Sequence, residues 1–392
     1  MSLQAEGGAE CSWPVARSRA TSTVAPVRPE VVPLSLAAGT VLAESACARS
    51  DLPAMDTSAM DGWAVCGPPP WRVVAELLAG HHRPAGVVLT AGEAVRIATG
   101  AGVPPGASAV LRSEHAESPS GSPNLLWPKG SPPEVGADIR LAGGECRRGD
   151  VVLVAGTPIG AVALGLLAAA GLDEVVARRV RADVLVLGDE LLTRGPARDG
   201  RLRDALGPLL SAWLPARGAE IASRRRVPDT VEALAAALAG CSGDVVVTTG
   251  STARGPVDHL HGVLDRLGAR LVVDGVAVRP GHPQLLALLP DGRPLVGLPG
   301  NPLAAVSGLM TLFDPLARTL RGLDVAPVRH GVLSVDVPAG PDATRLMPVR
   351  GGRPVMFAGP AMLRGSATAD AVAVIPPGGV PAGGEVELLE LP

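Results

Sequence analysis

The stretch VPDTVEALAAALAGCSGDVVVTTG, residues 227–250, decides how the rest of the chain is read. Asp229-Thr230-Val231-Glu232 has the spacing of a capping box, and VEALAAALAG continues as an Ala/Leu helix. DVVVTTG follows as a short β-branched strand ending in glycine. Working outward, ADVLVLG upstream is another strand, followed by a polar loop and the apolar helix ALGPLLSAWLPARG. Downstream come the helix HLHGVLDRLG and the strands LVVDGVAV, QLLALL and PLVGLPG. NPLAAVSGLMTLF then opens a helix with Asn301 at its N-cap. Strands alternating with helices of this length predict a doubly wound, mainly parallel α/β sheet over residues 181–324.

The flanking text differs. Over 47–149, short apolar runs (WRVVAELL, GVVLTAG, EAVRIATG, SAVLRSE) alternate with Gly/Pro/Ser breaks, the mark of a β-rich domain. SPSGSPNLLWPKGSPPEVG reads as an exposed loop system within it. Residues 1–46 and 150–180 read as a linking, helical domain: a polar, partly disordered start, then VVPLSLAAGTVLAES, and later the uncharged run Val151–Leu172. That run is long enough to cross a bilayer. Gly156, Pro158 and Gly160 instead divide it into the strand VVLVAG and the helix AVALGLLAAAG. Residues 325–392, with HGVLSVDV, AVAVIP and EVELLEL between Gly/Pro turns, read as a small C-terminal β domain.

A length of 392 residues exceeds one ordinary core, in keeping with several domains. The apolar residues are mostly Ala, Val and Leu, with two Phe and no Tyr. Basic charge is almost all Arg, with Lys129 the only lysine. A net charge of −3 supplies no general attraction to nucleic acid or an anionic membrane. Cys11, Cys47, Cys66, Cys146 and Cys241 form no C-x-x-C pair, which argues against a disulfide framework or a zinc site and fits a reducing cytoplasm. The opening residues lack an apolar h-region, so no secretory signal is expected.

Ligands of an open α/β sheet bind beyond the carboxyl ends of its strands. Three strands here end in glycine plus polar residues: LGDEL (187–191), TTGSTARGPVDH (248–259) and LPGNP (298–302). Gly188, Gly250 and Gly300 permit close backbone approach, and the following helix starts offer N–H groups to an anion. Asp189, Glu190 and Asp258 place carboxylates beside that anion, an arrangement that calls for a cation between them. Mg²⁺ with a nucleotide phosphate is the usual answer. Each turn also has a plain structural reading, and Asp258 reads equally as the N-cap of the helix beginning at His259. Upstream, Asp61-Gly62 in DTSAMDGWAV and Thr99 in RIATGAGVPPGASAV read on physics alone as turns.

In order, DLPAMDTSAMDGWAV, RIATGAGVPPGASAVL, IRLAGGE, LGDEL, the Asp258 loop, RPGHP and GLPGNP resemble the MoeA family of molybdopterin molybdenumtransferases, from about residue 30 to the C-terminus. The resemblance implies a four-domain protomer with a MogA-like α/β domain and a small C-terminal domain that is β-barrel-like. It implies a homodimer with the site shared between subunits, and other molybdenum cofactor enzymes as partners. Molybdate and adenylylated molybdopterin are the implied substrates, with AMP released under Mg²⁺.

The resemblance carries Asp61, Thr99 and Glu145 over from the β-rich domain, near molybdate. Glu190, Asp229 and Asp258 come from the α/β domain, with Glu190 and Asp258 at the Mg²⁺–phosphate region. Gly188, Asp189, Gly250, Ser251, Pro299 and Gly300 line the substrate. Arg279, His282 and Arg350 contact its anionic groups, and Asn301 shapes a backbone anion nest.

Several positions depart from the family pattern. Leu187 replaces the Thr of T-G-D-E-L, Glu145 replaces an Asp, and Asp204 lacks the Asn that follows it. Gly250-Ser251-Thr252-Ala253 replaces G-G-V-S, and Arg279-Pro280-Gly281-His282-Pro283 replaces K-P-G-K-P. These departures raise the alternative of a non-catalytic molybdopterin-binding or scaffold paralogue. An adenylyltransferase using the α/β domain alone does not account for the N-terminal signature.

Overall fold

The computed structural model describes residues 10–77, 87–253, 255 and 258–392. Residues 1–9 of the polar start, Leu78 of WRVVAELL, Gly86, and Arg254, Pro256 and Val257 of the Asp258 loop lie outside the described residues.

The α/β sheet runs in the order Ala219–Val227, Val180–Leu187, Val245–Thr249, Pro294–Leu298, Leu285–Leu288, Arg270–Asp274. Its first four strands pair in parallel, and the last two are joined by antiparallel pairing, so that Leu285–Leu288 alone runs against the others. Val245–Thr249 and Pro294–Leu298 are buried throughout, as expected of strands covered on both faces. Helices Leu206–Ala216, Val231–Ala239, Leu260–Leu267 and Pro302–Gly308 supply the cover. The last continues through a π-helical turn, Leu309–Phe313, into Asp314–Leu320. Thr230 alone caps helix Val231–Ala239, accepting from the Ala233 amide at 3.2 Å. The expected capping box is thus shifted by one residue, and Asp229 is left for other work.

LVVDGVAV is not one strand. Gly275, at φ +84, turns the chain, so that Arg270–Asp274 ends the α/β sheet and Val276–Arg279 pairs in parallel with Thr344–Arg350 of a second sheet. That sheet continues antiparallel through Ala371–Ile375, Glu385–Leu389 and Arg329–Val332. Val273, Val276 and Val278 share one buried cluster with Leu346 and Val372, which joins the α/β unit to the C-terminal strands.

Within helix Trp13–Ser22, Trp13, Ala16 and Ala20 enter that same cluster beside Phe313 and Leu316. Trp13 Nε1 donates to Thr311 Oγ1 at 3.1 Å, and Arg17 donates to Met310 O at 2.7 Å. The alanines at i+3 and i+7 from Trp13 leave room for close helix packing. The linking unit itself consists of Glu30–Pro33, Glu174–Arg178 and Val41–Leu42 in one sheet, the pair Ala46–Cys47 with Val151–Leu153, and helix Ala161–Ala169. Val151–Leu172 therefore divides into strand and helix, and no helix among the described residues is long and apolar enough to cross a membrane.

The β-rich unit is a six-stranded sheet in the order Ala116–Glu117, Leu125–Pro128, Trp71–Leu77, Glu93–Ile97, Gly62–Cys66, Ala109–Arg112. The apolar run Val87–Thr90 forms no strand; Leu89 is buried and its amide donates to Pro105 O.

Gly275→Ala is expected to destabilise the protein by about 1–3 kcal/mol, because a non-glycine residue is strained at this φ. The added Cβ would also stand 3.2 Å from His282 Cε1. Urea denaturation measures the loss, and a neutral result would show that the turn tolerates a side chain.

Candidate functional site

Three parallel strands end side by side, and the loops that follow them are in contact. A Cβ on Gly250 would lie 3.6 Å from Leu187 O, and one on Gly300 would lie 3.8 Å from Gly250 Cα. Gly188 adopts φ +129, and a Cβ there would stand 2.9 Å from Glu190 Oε2. Glycine at 188 thus makes room for the Glu190 carboxylate, which is exposed above the strand end.

The Gly188–Glu190 loop is held from several directions. The Asp189 amide donates to Asp229 Oδ2 at 3.0 Å, and the Asp229 amide donates back to Asp189 Oδ2 at 3.4 Å. Arg226 donates to Gly188 O at 3.0 Å, while Arg201 reaches Asp189 O at 3.4 Å and Leu191 O at 3.3 Å. The loop's carbonyls are thereby occupied by guanidinium groups, and these cations also offset the neighbouring carboxylates. Sequence reasoning missed Arg201 and Arg226; the available signal was arginine close after one strand end and at the end of the next.

Ser251 occupies the left-handed region at φ +57, where glycine is usual. Its hydroxyl accepts from the His259 amide at 2.7 Å, which caps helix Leu260–Leu267 and offsets the strain. Asp258 is not that cap: its Oδ2 accepts from the Gly255 amide at 2.8 Å. Asp204 has a local role too, accepting from the Gly207 amide at 2.8 Å in the first turn of helix Leu206–Ala216.

The anion nest expected at Asn301 is only partly available. Asn301 makes no side-chain capping bond, Pro302 has no N–H, and the amides of Leu303 and Ala304 both donate to Pro360 O, at 2.9 and 3.2 Å. Among the described residues, the amides of Gly300 and Asn301, next to Pro299, remain without a partner.

Arg279 and His282 are both half-exposed on one loop. Their shared partner is Glu10, whose carboxylate pairs with His282 Nδ1 and lies 3.8 Å from Arg279 Nη1. Arg350 does not join them within the chain. Arg279 stands opposite Arg345, and Arg350 is at the far end of that strand, about 17 Å away at 3.3 Å per residue.

In the β-rich unit, Asp61 Oδ1 accepts from the Thr99 amide at 2.7 Å and from its hydroxyl at 2.9 Å. These two bonds, the amide's first, hold the Asp61 carboxyl below the usual carboxylate range. Glu145 is exposed, and its amide donates to Leu52 O at 2.9 Å. None of the hydrogen bonds or ion pairs among the described residues joins Asp61, Thr99 or Glu145 to the α/β residues. Nor do any three His, Cys, Asp or Glu side chains among them stand close enough to hold a metal ion.

Fold and site together define a multidomain α/β protein with carboxylates gathered at the carboxyl ends of a parallel sheet. Residues 12–171 match the MoeA N-terminal region (domain I and II), and residues 183–319 match the probable molybdopterin binding domain of molybdenum cofactor biosynthesis proteins. The chain is 33% identical to a molybdopterin molybdenumtransferase of a Nostoc species over 310 residues, covering 75% of this chain and 70% of that one. It is 33% identical to molybdopterin molybdenumtransferase 2 of Mycobacterium tuberculosis over 330 residues, covering 79% and 80%. Among solved structures, the molybdopterin biosynthesis MoeA protein of Pyrococcus horikoshii superposes with a TM-score of 0.68 at 26% identity, covering 97% of this chain and 99% of that one. The chain belongs to the MoeA family of molybdopterin molybdenumtransferases.

Because the folded pKa of Asp61 is depressed, its bonds to Thr99 act above the unfolded pKa and are lost as pH falls through the folded value. Thr99→Val removes the hydroxyl and keeps the amide, so the Asp61 midpoint should rise only part of the way to normal. Carboxyl-carbon NMR reads it, and an unmoved midpoint would exclude the hydroxyl as a cause.

Proposed function

We propose that the protein inserts molybdate into adenylylated molybdopterin, releasing AMP and leaving molybdenum cofactor. The observation that carries this reading is the set of neighbouring strand ends floored by Gly188, Gly250 and Gly300, with Glu190 above them and Asp189 and Asp229 locked together alongside. The floor admits a flat, polyanionic ligand against backbone. The free amides of Gly300 and Asn301 supply donors to a phosphate.

Mg²⁺ suits this donor set. It commonly takes one or two carboxylates, completing its shell with waters and substrate phosphates rather than a protein cage. Glu190 and Asp258 are the residues that would hold it, and the ion would neutralise charge on the adenylyl phosphate as AMP leaves. Glu190 is exposed and free to turn toward an incoming ligand, while Asp258 is fixed through one oxygen by Gly255. Arg279 and His282 face the anionic groups at the other side of the ligand.

Asp61, Thr99 and Glu145 complete the site from a second copy of the chain in a homodimer. Their lack of bonds to the α/β residues of their own chain supports this assignment. Asp61 stays ionised at working pH and fixes the position of the Thr99 hydroxyl. A cytoplasmic location and delivery of the product to other molybdenum cofactor enzymes belong to the same reading. The scaffold alternative has no observation of its own to favour it, since each implied carboxylate is present and Ser251 offsets the altered loop with a helix cap.

Purified protein with adenylylated molybdopterin, molybdate and Mg²⁺ should release AMP in a molybdate-dependent manner. Glu190→Ala, at an exposed position, should fold normally and lose on the order of a hundredfold in rate. Substrate binding without AMP release in the unaltered protein would reject the transferase reading. Mixing Asp61→Ala with Glu190→Ala protein should restore about a quarter of the activity, since half of randomly mixed twofold dimers keep one intact shared site. No restoration would place each site within a single chain.

A further inference from the structure

The Arg279–His282 loop already has an anion on it, and the chain supplies that anion itself. Cys11–Ser12 runs parallel to Val276–Arg279, with Cys11 opposite Val276 and Ser12 opposite Ala277. The Cys11 amide donates to Gly275 O at 3.4 Å. This register carries Glu10 to the loop, where one carboxylate oxygen meets both His282 Nδ1 and Arg279 Nη1. The segment is anchored from behind by Trp13 and Arg17, which bond Thr311 and Met310 on the helical turn after Gly308. Glu10 is therefore tethered within reach of the two side chains that the functional reading gives to substrate.

We propose that Glu10 is an intramolecular competitor for the anion received by Arg279 and His282, so that the N-terminal strand gates this half of the site. The proposal rests on the reading of that loop as a substrate contact. Side-chain exposures of 39% for Glu10, 59% for Arg279 and 47% for His282 leave the pairs in high dielectric, where such contacts are weak. The carboxylate thus acts as a displaceable occupant. A phosphate carries more charge than a single carboxylate, so it displaces Glu10 more readily than a carboxylate ligand does. Glu10 therefore lowers the affinity for every anion at this loop by a few fold, and weakly charged ligands feel that competition most.

The test titrates adenylylated molybdopterin into the full-length protein and four variants: Glu10→Gln, Glu10→Ala, Arg279→Ala, and Glu10→Gln combined with Arg279→Ala. Neutralising Glu10 in either way should tighten Kd about two- to fivefold, the span set by the worth of an exposed ion pair. The gain should shrink at high salt. Arg279→Ala should weaken binding, and in its background Glu10→Gln should bring a smaller gain. Binding no tighter in both Glu10 variants would overturn the gate. If Arg279→Ala still weakens binding in that case, the loop remains a substrate contact and only the gate falls. An unchanged Kd in Arg279→Ala as well would remove the loop from the substrate site and the gate with it.

Discussion

The turn at Gly275 is the constraint on which the arrangement of this molecule depends. At φ +84 it takes the chain out of the α/β sheet and delivers Val276–Arg279 to the C-terminal sheet, with both halves buried in one cluster. The same turn lies against the His282 ring. Six residues on, Gly281 makes a second close approach: a Cβ there would stand 2.9 Å from Ala304 O and 3.0 Å from the Ser307 side chain. The loop bearing Arg279 and His282 is thereby seated on the helix whose first amides are closed off by Pro360. Two glycines at positive φ, Gly275 and Gly281, thus tie three parts of the chain to the site.

The segment 51–61 shows why a motif read as chemistry is often also a fastener. Asp51 accepts from the Arg148 amide, Asp56 from the Ala142 amide and Asp61 from the Thr99 amide, at 2.7–2.8 Å. Each carboxylate satisfies a loop N–H that no sheet ladder reaches, and charge makes these bonds stronger than neutral ones. Gly62 belongs to the same device, since a Cβ there would lie 2.0 Å from Leu111 O. Asp61 differs from the other two because its partner adds a hydroxyl to the amide.

Arginine shapes the α/β half in a similar way. Arg201 spans the Asp189 and Leu191 carbonyls with one nitrogen, and Arg226 holds Gly188 O. In a chain with a single lysine, positive charge comes as directional forks, which suits it to bracing a loop as well as to meeting an anion. Ser251 in place of glycine illustrates compensation of another kind: the hydroxyl that comes with the strained residue caps the next helix.

Local periodicity alone determined the parallel α/β sheet, the β-rich unit and the strand–helix division of Val151–Leu172, because hydrophobic spacing and Gly/Pro breaks act over a few residues. The same spacing placed Gly188, Glu190, Gly250 and Gly300 at strand ends. Tertiary structure decided what those residues touch. Helix Trp13–Ser22 finds its partner Thr311 298 positions away, and a polar segment of ten residues gives no hint of that bond. Two of the amides expected at an open nest by Asn301, those of Leu303 and Ala304, are taken by Pro360 O. Thr230 rather than Asp229 caps the helix, and Arg279 and His282 share Glu10 as a partner. A sequence records the period of each element; which distant group consumes a given donor or charge is settled only when the elements pack, because those contacts depend on distances that chain order does not carry.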